Sequence, residues 1–151
     1  MRRGWFRSAC LLLLLTLLFA AGCALQTEDG SGSRAGSDTG GSANSFAAII
    51  GHLQEHGELP EHFLTKAEAR KRGWDAKSCN LADVLPGASI GGDRFQNREG
   101  LLPAKSGRVW READADYASG CRNAKRVVYS SDGLYYVTED HYKSFRKWTD
   151  S

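Results

Sequence analysis

Residues 109–139 read VWREADADYASGCRNAKRVVYSSDGLYYVTE and predict three antiparallel strands joined by short connections. Val, Tyr, Trp and Thr cluster in three short runs, and the turn residues of SSDG (130–133) separate the last two runs. Connections this short join antiparallel strands, because a parallel pair needs a crossover of a dozen or more residues. Two further runs extend the pattern to a five-stranded antiparallel sheet. The predicted strands are 89–95, 109–115, 124–130, 134–139 and 144–148.

The strand at 109–115 does not alternate between apolar and polar side chains as a half-buried strand should. Successive side chains of a strand point to opposite faces, so Trp110, Glu112 and Asp114 share one face. Carboxylates beside a large aromatic residue break the expected pattern, and such breaks are typical of functional positions. We therefore interpret Glu112 as functional and Asp114 as part of a polar network with nearby arginines.

Three helices are predicted before the sheet. The first carries one apolar stripe at helical spacing, the second begins with a capping box from Thr65 to Glu68, and the third follows Asn80 as its cap. Helices followed by strands indicate an α+β domain, with the N-terminal helices packed on one face of the sheet. The predicted helices are SFAAIIGHLQEHG (45–57), TKAEARKRG (65–73) and NLADVLPG (80–87).

Residues 1–22 predict an export signal with a basic start and an apolar run of 13 residues (9–21), too short to span a bilayer comfortably. AAGC (20–23) resembles the lipobox of bacterial lipoproteins, although Ala20 stands where Leu is usual. In that interpretation Cys23 becomes the first residue of the mature chain and carries a lipid. The alternative is plain secretion with cleavage nearby. The chain is therefore expected outside the cell, either freely secreted or tethered to the outer face of the membrane.

Residues 23–44 are mostly Gly, Ser and small polar residues, which predicts a flexible tether before one folded domain at 45–151. The signal holds three of the 20 basic residues and none of the 18 acidic ones, which leaves 17 against 18. The mature chain is thus nearly neutral. Binding to a nucleic acid would require a local basic patch.

Several charged residues have little structural reason to be where they are. Lys66 lies in the first turn of a helix, where a cation opposes the helix dipole. Arg122 and Arg126 are four residues apart, and His141 lies between Asp140 and Tyr142. Taken singly, each is compatible with a solvated surface position.

Together with Glu112, these residues fit phosphoryl transfer without a metal ion. In RNA a 2′-OH can attack the neighbouring phosphate, so one group must accept its proton and another must protonate the departing oxygen. Cations must stabilise the charge that builds up on the phosphate, and histidine is a suitable acid near neutral pH. His52 and His56 share a helix face but lack a third ligand, so we interpret them as surface residues and predict no metal site.

The folded domain resembles the barnase family of secreted, guanyl-preferring bacterial ribonucleases from about residue 46 to residue 148. Several motifs agree in order and spacing, with hardly any gap. The stretches that carry the resemblance are LTKAEARKRGW (64–74), NLADVLPGASIGGDRFQNREGLLPAKSGRVWREADADYASGCRN (80–123) and YSSDGLYYVTEDHYKSF (129–145).

The resemblance implies a role for each matching residue. Glu112 would be the general base and His141 the general acid, while Lys66, Arg122 and Arg126 would bind phosphate and stabilise the transition state. FQNRE (95–99) matches the guanine-binding loop of the family, in which backbone amides donate to guanine O6 and Glu99 accepts from N1–H and N2–H. The other implied site residues are Phe95, Gln96, Asn97, Arg98 and Tyr142 around the base or phosphate, and Asp93 behind the site. Gln96 departs from the usual Ser of this loop.

The implied activity is cleavage of single-stranded RNA after guanosine, first to a 2′,3′-cyclic phosphate, which is then hydrolysed. The resemblance also implies a small, acidic, cytoplasmic inhibitor of the barstar type, and we expect no cofactor and a monomer. The alternative function is a tethered RNA or phosphoanion binder that keeps the fold without catalysis. Delivery as a toxin and scavenging of nutrients would use the same chemistry.

The folded domain contains two cysteines, Cys79 and Cys121, that match no usual cysteine of the family. An exported chain meets oxidising conditions, which favours a disulfide between them over two free thiols. Cys121 directly precedes Arg122, so the bond would lie close to the predicted site.

Overall fold

The computed structural model describes residues 42–149, and three helices come first along this part of the chain. They are α1 (Phe46–His56), α2 (Lys66–Lys71) and α3 (Leu81–Val84), each inside a stretch predicted to be helical. The capping box from Thr65 to Glu68 is present, and Ser45 caps α1 by accepting from the amide of Ala48. Within the described residues, no helix is both long enough and apolar enough to cross a membrane.

The predicted cap of α3 is wrong in one respect. Asn80 precedes the helix, but its side chain makes no capping hydrogen bond. Its side-chain oxygen instead accepts from the amide of Asp75 at 2.8 Å, and its nitrogen donates to the carbonyl of Gly73 at 3.2 Å. Asn80 therefore closes the loop between α2 and α3, a role that competes with helix capping.

Six strands form one sheet in chain order. Strands β2 to β6 pair antiparallel in the predicted order, within or at the limits of the predicted ranges. The prediction of five antiparallel strands missed a short edge strand, β1, which runs parallel to β2. Two buried residues are too few to show a strand period in the sequence. The strands are β1 (Phe63–Leu64), β2 (Ser89–Phe95), β3 (Trp110–Asp114), β4 (Arg126–Ser130), β5 (Tyr135–Thr138) and β6 (Arg146–Lys147).

The two faces of the sheet bury different residues. On one face, Ala113, Val127 and Val137 pair across β3, β4 and β5 and pack against α1, forming the main core. On the other, Trp110 and Val128 form a smaller core with Leu102. Glu112 pairs directly with Val128 on this second face. The helices thus pack on one face, as predicted, and the polar residues of β3 occupy the other.

Residues before 42 and after 149 lie outside the described part of the chain. The predicted export signal, the lipid site at Cys23 and nearly all of the predicted tether are among them. Asn44, at the predicted end of the tether, makes contacts with the domain. Its side chain donates to Ser89 Oγ at 2.8 Å, and its carbonyl accepts from the amide of Asp116 at 2.8 Å.

The predicted disulfide is confirmed. Cys79 and Cys121 are bonded, with their Cα atoms 4.4 Å apart. The bond joins the loop before α3 to the loop before β4, across a sequence separation of 42 residues. In the chain-entropy account, closing a loop of that length restricts the unfolded chain by about 4 kcal/mol.

Reducing the disulfide is expected to lower the melting temperature by roughly 10–20 °C, since native disulfides contribute ~2–4 kcal/mol. Thermal unfolding with and without a dithiol reductant measures the shift. A Cys79→Ser, Cys121→Ser double variant is the control, and its melting temperature should not respond to the reductant. An equal response in the variant, or none in the parent, would contradict a stabilising bond.

Candidate active site

Glu112 lies at the centre of the second sheet face, with only 7% of its surface exposed. Each of its carboxylate oxygens has a partner. Lys66 Nζ donates to Oε1, and the Tyr142 hydroxyl donates to Oε2 at 2.5 Å. Burial raises the pKa of Tyr142, and the hydrogen bond to Glu112 raises it further, so the phenol remains a proton donor at neutral pH. The carboxylate that interrupts the strand pattern is therefore held in one position by two groups.

Asp114 holds the two arginines that the sequence singled out. Arg122 donates to both of its carboxylate oxygens, at 2.5 and 2.6 Å, and Arg126 Nε lies 3.0 Å from one of them. Burial opposes the charge of Arg122, but the hydrogen bonds and the attraction of Asp114, with a smaller contribution from Tyr142 and Glu112, together raise its pKa. Asp114 and Arg126 are each only 1% exposed. The predicted structural role of Asp114 is thus confirmed.

Arg126 also connects Asp114 to the carboxylate of Glu112. Its Nε lies 3.1 Å from the hydroxyl of Tyr142, which in turn donates to Glu112. A second nitrogen of Arg126 donates to the carbonyl of Lys125 at 2.6 Å. One chain of contacts therefore runs from Asp114 through Arg126 and Tyr142 to Glu112.

Asp93, which the family resemblance places behind the site, contacts the backbone of Lys66. Its carboxylate accepts from the backbone amide of Lys66 at 2.9 Å, at the first residue of α2. A carboxylate there complements the helix dipole that the cation of Lys66 opposes. A register shift between Gly91 and Asp93 turns β2 at this point. Gly91 is required because a Cβ would lie 2.7 Å from the ring of Phe63.

His141 is exposed and lies on a tight turn after β5. His141 and Tyr142 both have a positive backbone φ, at 58° and 71°, a conformation that residues other than glycine rarely adopt. Asp140 supports the turn, since it accepts from both the amide and the hydroxyl of Ser144. Those hydrogen bonds lower the pKa of Asp140 to about 2. Two consecutive residues in this conformation mark a local strain of the kind that clusters at functional sites.

The loop at residues 96–100 follows β2 and is fixed by one side chain. Asn97 accepts from the amide of Leu102 at 3.0 Å and donates to its carbonyl at 2.9 Å. Asn97 itself has a φ of 46°. Phe95, at the end of β2, stacks on Tyr142 with ring centroids 5.2 Å apart. Glu99 is exposed at the other end of the loop.

Two open clefts meet at His141. One, of about 710 Å³, is lined by residues 94–99 together with Leu101, His141, Tyr142 and Lys143. The other, of about 450 Å³, is lined by both disulfide cysteines, Arg122, Arg126 and His141. The first has the residues predicted to read a base, and the second has two of those predicted to hold a phosphate. Both clefts therefore include His141, the residue predicted to be the general acid.

Among residues 42–149 no three His, Cys, Asp or Glu side chains are grouped so that they could hold a metal ion. His52 and His56 are on α1, which packs on the other face of the sheet from Glu112. Their rings lie 4.3 Å apart, and His52 Nδ1 is 2.9 Å from the carbonyl oxygen of Glu58. The structure thus keeps them away from the other candidate residues.

The sequence model of a family described as ribonuclease matches residues 44–149. A ribonuclease of Heyndrickxia coagulans is 54% identical over 104 residues, which cover 69% of this chain and 95% of that protein. The chain belongs to this ribonuclease family. A ribonuclease of Bacillus intermedius is also 54% identical over 104 residues, which cover 64% of its length. Guanyl-specific ribonuclease St of Saccharopolyspora erythraea is 45% identical over 56 residues, covering 36% of this chain and 55% of that protein.

This ribonuclease also has site residues that the sequence prediction missed. Asn123 donates to the carbonyl of Ala115 at 2.8 Å and accepts from Arg126, so it ties the arginine loop to the end of β3. The ring of Trp74 lies under the guanidinium of Arg122, 5.9 Å from its centroid. These contacts join residues far apart in sequence, so no local pattern could reveal them.

Proposed function

We propose that the chain is an exported endoribonuclease that cleaves single-stranded RNA after guanosine, without a metal ion or other cofactor. The observation that carries this proposal is that Tyr142 contacts both a buried carboxylate and an exposed histidine. Its hydroxyl donates to Glu112, which also accepts from Lys66, and its ring lies 4.8 Å from the ring of His141. Membership of the ribonuclease family supports RNA as the substrate.

In the first step Glu112 accepts the proton of the guanosine 2′-OH, and O2′ attacks the adjacent phosphorus. The bond from phosphorus to the 5′-oxygen of the next nucleotide breaks, and His141 in its imidazolium form protonates that oxygen. The products are a 2′,3′-cyclic phosphate and a free 5′-OH. In the second step His141 accepts a proton from water, which attacks the cyclic phosphate, and Glu112 protonates the departing O2′.

The negative charge on the phosphate oxygens rises in both steps. Lys66, Arg122 and Arg126 would stabilise it, because preorganised cations in a partly buried site need no rearrangement during the reaction. Their contacts to Glu112 and Asp114 fix them in place before substrate arrives. The fork of a guanidinium also matches two oxygens of a phosphate at once.

The first test is digestion of a defined RNA by the purified protein in excess EDTA. We expect cuts only on the 3′ side of guanosines, with cyclic phosphate ends that convert to 3′-phosphates on longer incubation. Loss of activity in EDTA that Mg²⁺ or Zn²⁺ restores would contradict the metal-free mechanism. Intact RNA bound by the protein under every condition would favour the binding-module alternative.

Guanine preference is assigned to the loop at residues 96–99. The carboxylate of Glu99 can accept from guanine N1–H and N2–H, a donor pair that adenine does not present. Asn97 fixes the loop from within, so that its backbone amides can face O6 of the base. The name of ribonuclease St, a guanyl-specific relative, supports this preference.

The variant Glu99→Gln is expected to lower kcat/KM on GpA by roughly 5- to 150-fold and to change ApA cleavage far less. The substitution replaces one acceptor oxygen by a donor that faces the N–H groups of guanine. Glu61→Gln, at an exposed position outside both clefts, is the matched control and should retain the preference of the parent protein. Equal losses on GpA and ApA would show that Glu99 does not read the base.

We also propose that Cys23 carries the lipid of an outer-surface lipoprotein. The AAGC stretch at 20–23 supports this, and the small polar residues that follow would let the domain move away from the membrane. Fractionation of cells that produce the parent chain or Cys23→Ala tests the proposal. The parent should remain with the membranes and the variant should reach the medium, whereas release of both would indicate plain secretion.

A ribonuclease that needs no cofactor would damage its own cell if export failed. We therefore propose a small acidic inhibitor in the cytoplasm, of the barstar type, that binds the cations of the active site. The contact residues would be Lys66, Arg98, Arg122, Arg126 and His141. A barstar-type protein is expected to inhibit RNA cleavage at or below micromolar concentration, with weaker inhibition at high salt. Absence of inhibition at micromolar concentration would mean that this surface has diverged.

A further inference from the structure

The cleft lined by residues 94–99, Leu101, His141, Tyr142 and Lys143 is called here the base-binding cleft. Three cations line it without a partner among the described residues. They are Arg94, Arg98 and Lys143, and all three are exposed. Within residues 42–149 none of them forms an ion pair or a side-chain hydrogen bond. The sequence assigned only Arg98 to the site. Arg94 and Lys143 are the two cations that the mechanism leaves unused.

Arg94 occupies an unfavourable position for a structural residue. In the β2–β3 ladder it is directly opposite Arg111, and like charges at paired positions destabilise a sheet. Arg111 donates to the carbonyl of Gly92 at 2.6 Å, whereas Arg94 has no such contact. Strand β1 pairs only with Ser89 and Ile90, so β2 is a free edge at Arg94. A long side chain at that edge is free to reach the cleft that it lines.

An exposed apolar side chain, Leu101, lines the same cleft as the two unused cations. Leu101 is 52% exposed and lines the cleft together with Arg94 and Lys143. An apolar surface beside unpaired cations matches the two parts of a nucleotide, a flat base and a charged phosphate.

The position of Arg94, Leu101 and Lys143 indicates whether they would contact nucleotides on the 5′ or the 3′ side of the guanosine. In the proposed mechanism the phosphate that is cut lies 3′ of the guanosine, and Arg122 and Arg126, the cations proposed to bind it, line the other cleft together with His141. Arg94, Leu101 and Lys143 line only the base-binding cleft. Chain that leaves the guanosine in the 5′ direction would therefore pass over them.

We propose that Arg94, Lys143 and Leu101 form an upstream subsite that binds the nucleotides 5′ of the guanosine. The two cations hold upstream phosphates, and Leu101 packs against an upstream base. The preferred substrate is thus an RNA with nucleotides before the guanosine, and a lone GpA dinucleotide uses only part of the cleft. This inference rests on the proposed function, because it extends the binding of the same substrate.

The test compares two tetranucleotides of equal length, charge and composition, ApApGpA and GpApApA, with GpA as the reference. For the parent protein we expect the 5′ extension in ApApGpA to raise kcat/KM over GpA by roughly threefold to thirtyfold, the gain that two solvent-exposed charge contacts supply. In the Arg94→Gln, Lys143→Gln variant, kcat/KM for ApApGpA should no longer exceed that for GpA. Any increase of kcat/KM for GpApApA over GpA should be the same as in the parent. Leu101→Ala should lose part of the gain for ApApGpA.

The salt dependence separates phosphate contacts from other effects. Each phosphate contact on a single strand contributes about 0.7 to the slope of log affinity against log salt. The slope of log kcat/KM for ApApGpA against log salt should therefore become shallower by about 1.4 in the Arg94→Gln, Lys143→Gln variant, which removes two phosphate contacts. The same slope should stay unchanged in Leu101→Ala. Lys71→Gln, Arg72→Gln is the matched control, because it removes one lysine and one arginine that line neither cleft.

Several results would overturn the inference. One is a parent protein that cleaves GpA and ApApGpA equally well. Another is an equal loss of the 5′ and 3′ gains in the variant, which would indicate a general effect of net charge. A loss as large in the Lys71→Gln, Arg72→Gln control would have the same meaning. Failure of the parent to cleave any of the three substrates would instead contradict the proposed function.

Discussion

Replacement of Glu112 or of His141 by alanine is expected to lower RNA transesterification by ~10²–10⁴-fold, the usual contribution of a general base or acid. Glu112 is held in a buried position by hydrogen bonds from Lys66 and Tyr142, so the alanine variant removes a positioned group. Steady-state cleavage of GpA measures both losses. The dependence of kcat/KM on pH should lose one limb of its bell shape in each variant, because each substitution removes one of the two groups that exchange protons with the substrate.

Two controls separate chemistry from folding. The His52→Ala, His56→Ala double variant removes two histidines on the other face of the sheet and should cleave RNA within about twofold of the parent rate. Glu112→Gln keeps the shape of the side chain and should be as inactive as Glu112→Ala. Cleavage of dinucleotides by His141→Ala at the parent rate would show that the acid is another group.

The variant Asp114→Ala is expected to show the largest loss of stability. Removing one partner of a buried ion pair usually costs about 3–5 kcal/mol, and here it leaves the nearly inaccessible guanidinium of Arg126 without its carboxylate. The melting temperature should fall by roughly 15 °C or more. Activity should fall as well, because Arg122 loses both of its hydrogen bonds to Asp114.

Asp116→Asn provides the comparison two residues further along the chain, because Asp116 has a φ of 51°, a conformation that asparagine tolerates better than alanine. Asp116 pairs with Lys125 at 2.8 Å, but both side chains are well exposed to solvent. An exposed pair contributes at most about 1 kcal/mol, so this variant should melt within a few degrees of the parent. Equal shifts for the two variants would contradict the structural role of Asp114.

Local patterns were sufficient to predict most of the fold. The capping box at Thr65 and the turn between β4 and β5 depend on residues that are close together in the sequence, so both could be recognised from the sequence alone. Strand β1 was missed because its two residues are too few to show an alternation. The side chain of Asn80 was assigned to the wrong partners, because a cap residue can equally well close the loop before its helix.

The candidate site was predictable where a residue conflicts with its local structure. Glu112 in a half-buried strand and Lys66 at a helix start are both such conflicts. The contacts that connect them were not predictable, since Tyr142 reaches Glu112 across 30 residues and Asn123 reaches Arg126 only in the folded loop. The positive φ values of His141 and Tyr142 likewise follow from the turn and not from their residue types.

The most direct test of the account is an RNA in which a single guanosine lacks its 2′-OH. If Glu112 activates that hydroxyl as the nucleophile, the purified protein will cut after every accessible guanosine except the 2′-deoxy one. The neighbouring guanosines in the same strand serve as the internal control for binding and activity. Cleavage at the 2′-deoxyguanosine would mean that water attacks the phosphate directly and would contradict the proposed mechanism.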